Sequence, residues 1–473
     1  MIINMAEEKH GHTYYQWIYA SIASIGFMLY GMEAGWLSPI TKTLQSENSP
    51  LGSPLSSSTI SVCASVSAIS SAVTVPLYSY LVDKYGRKWI IFAITIPQAL
   101  SILMRIMFPN VVVLLIARSA AGISASGVFT TCTIYTREIS QSNMIGKLGS
   151  LQVVMQFTGF LIIYLIGAFF EYFTILWIFL AFPIATAVLM ISAPEAPAYL
   201  VKRGKIDEAY KTVAFLRGVT KDDKIVVNEI DEMQKQEEEF KSISKIGMRT
   251  ILRDKSWRRG LIIMLATFTV HAWNGAFAIL TYASAILSST GNVFDISPEL
   301  QTISFPIVMI IASLSLTGIA ERFGRRVLLA AGFFFSALAL TALGVAMLVQ
   351  QHGYMVPGWL PITSMMVASA MYAGSVRPLP YIISTEMFNF QVRAKVMGSI
   401  VMYAWLVVAT QLFAYGPLAD TLGLHGTFIC YGFINVLGVI LCYVMPETKD
   451  KTDEEIRHVL AHSTKSQTVS QPT

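Results

Sequence analysis

The motif DKYGRK at Asp83–Lys88 recurs 238 residues later as ERFGRR at Glu321–Arg326. In both copies a glycine lies between an acidic residue and two basic ones, in a short loop that joins two long apolar runs. Glycine permits the tight turn that connects two helices on one face of a membrane. The repeat therefore predicts two copies of a helical unit, with Gly86 and Gly324 at equivalent turns.

Two further pairs of residues support a duplication. Glu138 and Glu386 follow the fourth and tenth apolar runs, 248 residues apart, and the Pro-Glu dipeptide at Pro194 recurs at Pro446 with an offset of 252. Three pairs at similar spacing indicate a duplicated six-helix unit. Internal repeats of this kind are the architecture of secondary transporters, which place the solute where the repeats meet.

The composition is that of a membrane protein. Of 473 residues, 54% are hydrophobic and 13% are charged, and the mean hydropathy is +0.57, whereas soluble domains are about one-quarter charged. A disordered chain is excluded, because such chains are rich in charge and poor in apolar residues. A membrane span needs about 20 residues, so we predict an all-α membrane protein with twelve transmembrane helices in two six-helix bundles. The apolar runs lie at approximately 17–37, 58–81, 89–108, 111–134, 148–170, 174–193, 259–288, 299–320, 327–349, 359–384, 396–418 and 426–445.

The basic residues indicate the orientation of the chain. The stretch 202–259 holds 15 of the 34 Lys and Arg residues, and an excess of these residues marks the cytoplasmic side. We therefore expect both termini and the central linker to be cytoplasmic. The predicted domains are an N-terminal bundle at 1–193, a linker with short helices at 194–258, a C-terminal bundle at 259–446 and a cytoplasmic tail at 447–473.

The sequence lacks the motifs of enzyme chemistry and of nucleic-acid binding. It has no phosphate-binding loop of the G-x-x-x-x-G-K-S/T type, its four cysteines lie in apolar runs without paired spacing, and its basic residues form no stripe. We expect a protein that is not an enzyme, that uses neither a cofactor nor a metal, and that binds no nucleic acid. Its expected partners are a small solute and the lipid bilayer.

Several stretches resemble the sugar porter family of the major facilitator superfamily. The two turn motifs resemble its D-R-x-G-R-R loops. The sequence PEAPAYL at Pro194–Leu200 resembles its P-E-S-P-R-x-L signature, and PETKDK at Pro446–Lys451 resembles its P-E-T-K-G-K signature. Pro378–Tyr381, followed by Glu386 and Arg393, resembles its P-x-P-W…E…R segment.

The resemblance implies a facilitative carrier that moves a sugar (a hexose, trehalose or a polyol) across the plasma membrane by alternating access. The sequence GWLSP at Gly35–Pro39 is similar to the insect trehalose-transporter-like branch. Charged residues of the cytoplasmic loops would then form pairs between the bundles and hold that side closed. The expected gating residues are Asp83, Gly86, Arg87, Glu138, Glu321, Gly324, Arg325, Arg326, Glu386 and Arg393.

The expected sugar site departs from the family pattern. Where the seventh span of the family has Q-Q-x-S-G-x-N, this chain reads HAWNGAF at His271–Phe277, and Tyr381 and Ala404 replace a Trp and an Asn. Each buried sugar hydroxyl needs a polar partner, so we expect a site with more aromatic and fewer amide groups. The predicted substrate contacts are Gln152, Gln156, His271, Trp273, Asn274, Phe277, Tyr282, Tyr381 and Trp405.

Four charged residues lie inside apolar runs, where each costs about 2.5–3.5 kcal/mol at the membrane centre. Arg105 is close to the end of its run, so we expect it to reach the membrane surface. Glu33 either exchanges a proton beside Arg118, as the resemblance to proton-coupled porters implies, or forms a static pair with Arg118 or Arg377. Arg377 alternatively presents a positive charge to an anionic solute. The expected residues of charge or proton coupling are Glu33, Arg118 and Arg377.

The residues leave three functions open. The first is the facilitative sugar carrier, and the second is a proton-coupled or organic-anion carrier with the same fold. The third is a sugar sensor that does not transport, for which the short stretch after Glu447 offers little room for a signalling tail.

Overall fold

The computed structural model describes residues 12–242, 247–289, 297–319, 323–449 and 451–461, and every regular element within these ranges is a helix. The chain divides into two compact units. The first unit takes its described residues from Met1–Ser56 and Val66–Ser244, and the second takes them from Ser57–Ser65 and Lys245–Thr473.

The helices of the N-terminal half include a π-helical turn. This turn, at Val128–Cys132, joins α5 to α6 without interrupting the chain direction. The helices are α1 Tyr14–Gly35, α2 Leu37–Gln45, α3 Ser57–Tyr85, α4 Arg87–Met107, α5 Val111–Gly127, α6 Thr133–Ile139, α7 Ile145–Phe169, α8 Tyr172–Ile191, α9 Pro197–Lys202, α10 Ile206–Arg217 and α11 Lys224–Ser242.

The helices of the C-terminal half repeat this feature. A second π-helical turn, at Tyr372–Val376, joins α18 to α19 and lies 244 residues after the first. The helices are α12 Met248–Arg253, α13 Lys255–Ala272, α14 Ala276–Ser289, α15 Pro298–Thr302, α16 Ser304–Ile319, α17 Arg325–Gln351, α18 Trp359–Met371, α19 Pro378–Met387, α20 Phe390–Val444 and α21 Asp453–Ala461.

Helices cover all twelve predicted apolar runs. Among the described residues, nine helical stretches are long and apolar enough to cross a membrane. The last of these, Lys395–Val444, is 50 residues long and is broken at Gly423, so it contains both the eleventh and the twelfth runs. The helices over the first and tenth runs fall outside these nine. The prediction of an all-α membrane protein is confirmed.

Glycines bring α1 and α7 into backbone contact. A Cβ on Gly31 would overlap the carbonyl oxygen of Gln156, and a Cβ on Gly159 would overlap that of Met28. Small residues permit such close approach between membrane helices. The contact fixes the depth and rotation of α1, which carries Glu33 on its last turn.

The helices of the second unit are interrupted where polar residues cluster. Gly275 has a φ of +97° between α13 and α14, a conformation that favours glycine. The π-helical turn Tyr372–Val376 ends at Arg377, directly before Pro378 begins α19. Interrupted helices leave backbone groups available for side chains, and π-helical turns are frequent at functional sites.

Candidate functional site

A carboxylate and two arginines meet inside the first unit. Glu33 places Oε1 2.6 Å from Nη1 of Arg118 and Oε2 2.7 Å from Nη2 of Arg105. The three residues are 4%, 3% and 1% exposed, respectively. We call Glu33, Arg105 and Arg118 the charged cluster. One carboxylate against two guanidinium groups gives it a net charge of +1.

Neutral polar groups surround the charged cluster. Gln98 Nε2 donates to Oε2 of Glu33 at 3.1 Å, and Nη2 of Arg105 also donates to the Ser101 hydroxyl at 2.8 Å. The guanidinium carbon of Arg105 lies 4.4 Å from the centre of the Trp36 ring, in a cation–π contact. Gln98, Ser101 and Arg105 share one face of α4 because they are three and four residues apart.

The position of Arg105 corrects the sequence prediction. We expected it to reach the membrane surface, but it is buried against Glu33. A buried carboxylate on a neighbouring helix needs charged partners, because an isolated ion inside the protein is costly. Of the two predicted partners of Glu33, Arg118 holds it. Arg377 lies in the second unit, where its backbone amide donates to the Tyr372 carbonyl oxygen at 2.9 Å.

The middle of the second unit is aromatic. The His271 ring stacks on Tyr372 with ring centres 5.6 Å apart, and Phe277 and Tyr381 approach the His271 ring edge-on. His271 Nδ1 donates to the Val376 carbonyl oxygen at 3.1 Å, so the imidazole is tied to the π-helical turn. We call His271, Phe277, Tyr372 and Tyr381 the aromatic cluster. Three of its members were predicted substrate contacts.

Asn274 is bound by another asparagine. It is fully buried, and its side-chain amide donates to Oδ1 of Asn435 on α20. Nδ2 of Asn435 in turn donates to the backbone oxygen of Asn274 at 2.9 Å and to that of Tyr431 at 2.7 Å. This pair lies at the break between α13 and α14, and Oδ1 of Asn274 has no hydrogen-bond partner among the described residues, so its role as a substrate contact stays a prediction.

The remaining predicted contacts of the second unit lie outside the aromatic cluster. Tyr282 stacks on Tyr415 with ring centres 4.2 Å apart. Trp273 is half-buried, 6.5 Å from the ring of Tyr431, and Trp405 is half-buried on α20.

Two glutamines of α7 differ in their surroundings. Gln152 Nε2 donates to the Cys132 carbonyl oxygen at 3.1 Å and to the Thr136 hydroxyl at 2.9 Å, so its donor is used within the unit. Gln156, one turn further on, is 4% exposed, and its Oε1 has no hydrogen-bond partner in the described part of the chain. A buried acceptor without a partner marks a place for a ligand or an ordered water molecule.

Glu195 caps the turn of the first unit. Its Oε1 accepts from the backbone amides of Arg87 at 2.8 Å and Lys88 at 3.1 Å, at the amino end of α4. A carboxylate there satisfies unpaired amides and complements the helix dipole. A Cβ on Gly86 would overlap this carboxylate, which explains the glycine. Nη2 of Arg87 lies 2.7 Å from Oε1 of Glu138.

Glu447 caps the turn of the second unit in the same way. Its two oxygens accept from the backbone amides of Arg325 at 2.9 Å and Arg326 at 3.2 Å. A Cβ on Gly324 would overlap this carboxylate as well. Arg325 Nε lies 3.4 Å from Oε1 of Glu386. The three repeated sequence motifs thus meet in one cluster in each unit.

These contacts add partners to the predicted gating residues. Arg87 pairs with Glu138 and Arg325 with Glu386, each pair within one unit, because the helix that follows each turn and the helix that ends in the glutamate belong to the same unit. The pairing of these residues between the bundles stays a prediction.

Two other predicted gating residues have partners within their own units. Asp83 pairs with Lys202 at 3.1 Å and lies 3.9 Å from Nη1 of Arg87. Arg393 Nε donates to the Phe388 carbonyl oxygen at 2.9 Å. Glu321 lies outside the described residues.

Sequence reasoning missed several site residues for which a signal existed. Asn435 is the only asparagine in its apolar run, and a lone amide in a span needs a partner. The polar face Gln98, Ser101 and Arg105 has helical spacing. Tyr372 gave no signal, because an aromatic residue in a span resembles any other core residue.

Membrane-length helices in two units, each with the same capped turn and with polar groups at interrupted helices, define a secondary transporter of the major facilitator type. The chain belongs to the sugar transporter family, because the family model described as "Sugar (and other) transporter" matches residues 11–460.

Insect transporters are among the similar curated proteins. The chain is 27% identical to the facilitated trehalose transporter Tret1-2 homolog of Drosophila simulans over 386 residues, which is 80% of this chain and 77% of that protein. It is 25% identical to the facilitated trehalose transporter Tret1 of Culex quinquefasciatus, with coverage of 94% and 85%.

Solved structures of a bacterial transporter share the fold. The inward open conformation of the xylose transporter XylE from E. coli matches with a TM-score of 0.77 and 18% identity, covering 94% of this chain and 99% of that chain. The proton:xylose symporter XylE bound to 6-bromo-6-deoxy-D-glucose matches with a TM-score of 0.75 and 20% identity, covering 95% and 100%. At these identities the likeness shows the fold alone.

Proposed function

We propose that this protein is a facilitative carrier for a neutral sugar of the hexose, trehalose or polyol class. The observation that carries the proposal is the family match over residues 11–460, joined by relatives named as facilitated trehalose transporters. The carrier acts in the plasma membrane, with both termini and the linker 194–258 on the cytoplasmic side, where Lys and Arg are concentrated.

The aromatic cluster and Gln156 supply the chemistry that a sugar needs. A sugar presents C–H faces, which pack on aromatic rings such as those of Tyr372 and Tyr381. It also presents hydroxyl groups, which need hydrogen-bond partners when they leave water. The Oε1 acceptor of buried Gln156 is suited to receive a sugar hydroxyl.

The charged cluster supports a neutral solute. Both oxygens of Glu33 are held by guanidinium groups at 2.6 and 2.7 Å, so the carboxylate is already neutralised within the unit. The cluster therefore offers a cationic solute no uncompensated carboxylate.

The capped turns support alternating access. Glu195 and Glu447 each tie the start of one helix to the end of the last long helix of the same unit. A unit whose helices are cross-linked in this way moves as one body, which is how such carriers expose their solute to each side in turn.

Uptake by proteoliposomes tests the proposal. Purified protein is given labelled glucose, trehalose or a polyol, and Gln156→Met is compared with Gln152→Met on the same helix. We expect saturable uptake of at least one sugar, with an apparent KM about two- to tenfold higher in Gln156→Met because one hydrogen bond is lost. Gln152→Met should leave the KM unchanged and lower the thermal stability.

Two outcomes would contradict the proposal. One is uptake of every sugar at the rate of protein-free vesicles. The other is uptake of organic anions that Arg377→Gly abolishes, which would identify an anion carrier.

A further inference from the structure

We propose that Arg105 is a positioning residue that holds Glu33 permanently ionised, and that it thereby keeps this carrier independent of protons. The consequence for transport rests on the proposed sugar carrier, whereas the charge state of Glu33 does not.

The geometry divides the two oxygens of Glu33 between two helices. Arg118 of α5 takes Oε1 at 2.6 Å and also donates to the Glu33 backbone oxygen at 2.9 Å. Arg105 of α4 takes Oε2 at 2.7 Å. A carboxylate with a single arginine can pick up a proton when that arginine withdraws. Here the second arginine still compensates the charge.

Arg105 is itself fixed in place. Its Nε donates to the Ser101 backbone oxygen at 3.1 Å, its Nη2 donates to the Ser101 hydroxyl at 2.8 Å, and its guanidinium lies against the Trp36 ring. It is 1% exposed. Its Nη1 has no hydrogen-bond partner among the described residues, but the contacts of Nε, of Nη2 and of the guanidinium face keep the positive charge beside Glu33.

The electrostatic balance of the cluster opposes protonation. With Glu33 ionised the net charge is +1, and with Glu33 protonated it would be +2 in a buried environment. The surrounding groups do not offset this increase. The neighbours of the cluster are neutral: Gln98 and Ser101 of α4, Ser67 of α3 and Trp36. Tyr172, whose ring lies 5.9 Å from that of Trp36, carries no charge at neutral pH. An opposite charge within about 4–6 Å changes the protonation equilibrium of a carboxylate by about ten- to thousandfold.

Infrared spectroscopy measures the charge state without any substrate. Purified wild type, Glu33→Gln, Arg105→Gln and Arg105→Lys are placed in nanodiscs, and the pH is lowered from neutral into the ordinary titration range of glutamate. The Glu33→Gln spectrum identifies the band that belongs to Glu33. We expect no protonated-carboxyl band in the wild type or in Arg105→Lys, and a band that appears in Arg105→Gln.

The outcome that overturns the proposal is a Glu33 band in the wild type, or none in a folded Arg105→Gln. If Arg105→Gln does not fold, the wild-type spectrum still decides, because a band there contradicts a permanently ionised Glu33.

Proteoliposomes then test the transport consequence. With an inward gradient of one pH unit, a one-proton symporter concentrates its solute about tenfold. We expect an accumulation ratio of about one in the wild type and in Arg105→Lys, and a ratio that rises toward about tenfold in Arg105→Gln. Accumulation by the wild type overturns the proposal. Absence of uptake by the wild type refutes the sugar carrier instead, while the infrared result stands.

Discussion

The two units have the same kind of capped turn, but they differ in the residues that they bury at their centres. The first unit buries the charged cluster, in which Glu33 is shared by two arginines. At its interrupted helices the second unit buries mainly neutral groups, with His271 stacked on Tyr372 and Asn274 bound to Asn435. An arginine, Arg377, is also buried there, beside the π-helical turn. Meanwhile Glu195 and Glu447 cap equivalent helices with nearly equal distances.

The difference indicates a division of tasks within a duplicated protein. The repeated turns hold each set of helices together, so they tolerate little change in either copy. The residues buried at the centre of each unit are free to differ between the units, because each set is stabilised by contacts within its own unit. In this account the charged cluster fixes the first unit, and the aromatic cluster of the second unit supplies surfaces for a neutral solute.

We expect the largest loss of stability when the Glu33 carboxylate is removed. Glu33→Ala leaves two buried guanidinium groups without compensation, so we expect a loss of about 3–5 kcal/mol of stability. The measurement is thermal unfolding of the purified protein in detergent. Replacement of the complete cluster by apolar residues, as in Glu33→Leu with Arg105→Met and Arg118→Met, should recover most of this loss. Equal stability of Glu33→Ala and the wild type would contradict the account.

The Asn274–Asn435 pair of the second unit should contribute less to the free energy of unfolding than the charged cluster does. Asn435→Ala removes the donor to the Asn274 backbone oxygen and leaves buried amide groups without partners, which costs about 1–3 kcal/mol. The same unfolding measurement applies, and Asn435→Ser serves as a polar control that is too short to bridge the helix break. A loss as large as that of Glu33→Ala would show that the residues buried at the two centres are not energetically different.

The two turn glycines should respond unequally to alanine. Gly86 has a φ of 93° and a ψ of 172°, in a region that is essentially restricted to glycine, whereas Gly324 has a φ of −64°. Both alanine variants push a carboxylate away, but only Gly86→Ala also strains the backbone, by about 1–3 kcal/mol. We expect Gly86→Ala to unfold at the lower temperature. The reverse order would contradict the proposed equivalence of the caps.

Outside the membrane helices, we expect acid to weaken one local contact, the pair of Asp254 and Arg457. Partial burial acts to raise the pKa of Asp254, but the hydrogen bond from the Trp257 amide and the nearby Arg457 guanidinium outweigh it, so the pKa lies below its ordinary value. A lowered pKa stabilises the folded form above the ordinary value, and this stabilisation is lost as the pH falls through the folded-state pKa. Protection of the α21 amides against hydrogen exchange, taken relative to the intrinsic rate at each pH, should therefore fall in acid in the helix that carries Arg457. Asp254→Asn should show low protection at every pH, and an unchanged acid response in that variant would exclude Asp254 as its source.

The sequence predicted the helices and the repeated turns because both depend on local signals. Apolar runs of membrane length and a glycine between charges need no knowledge of distant contacts. The cap by Glu195 was missed although the Pro-Glu repeat was visible, because its partner amides lie 107 and 108 residues away along the chain.

The partners of the charged residues could not be predicted from the positions of these residues in the sequence alone. Arg105 looked like a surface residue because it lies near the end of its helix, yet the rotation of α4 points it at Glu33. Rotation follows from packing, and the close contact at Gly31 and Gly159 that sets α1 appears only in three dimensions. Asn274 and Asn435 lie 161 residues apart along the chain, so neither residue alone could indicate their pairing.

The central claim is that this protein carries a neutral sugar, and solute counterflow tests it most directly. Proteoliposomes loaded with unlabelled sugar are diluted into buffer of the same pH that contains a trace of labelled sugar. A carrier of this kind exchanges the two and shows a transient internal excess of label, which then decays to equilibrium. The account predicts this overshoot with glucose, trehalose or a polyol, and label that never exceeds the level in protein-free vesicles would contradict it.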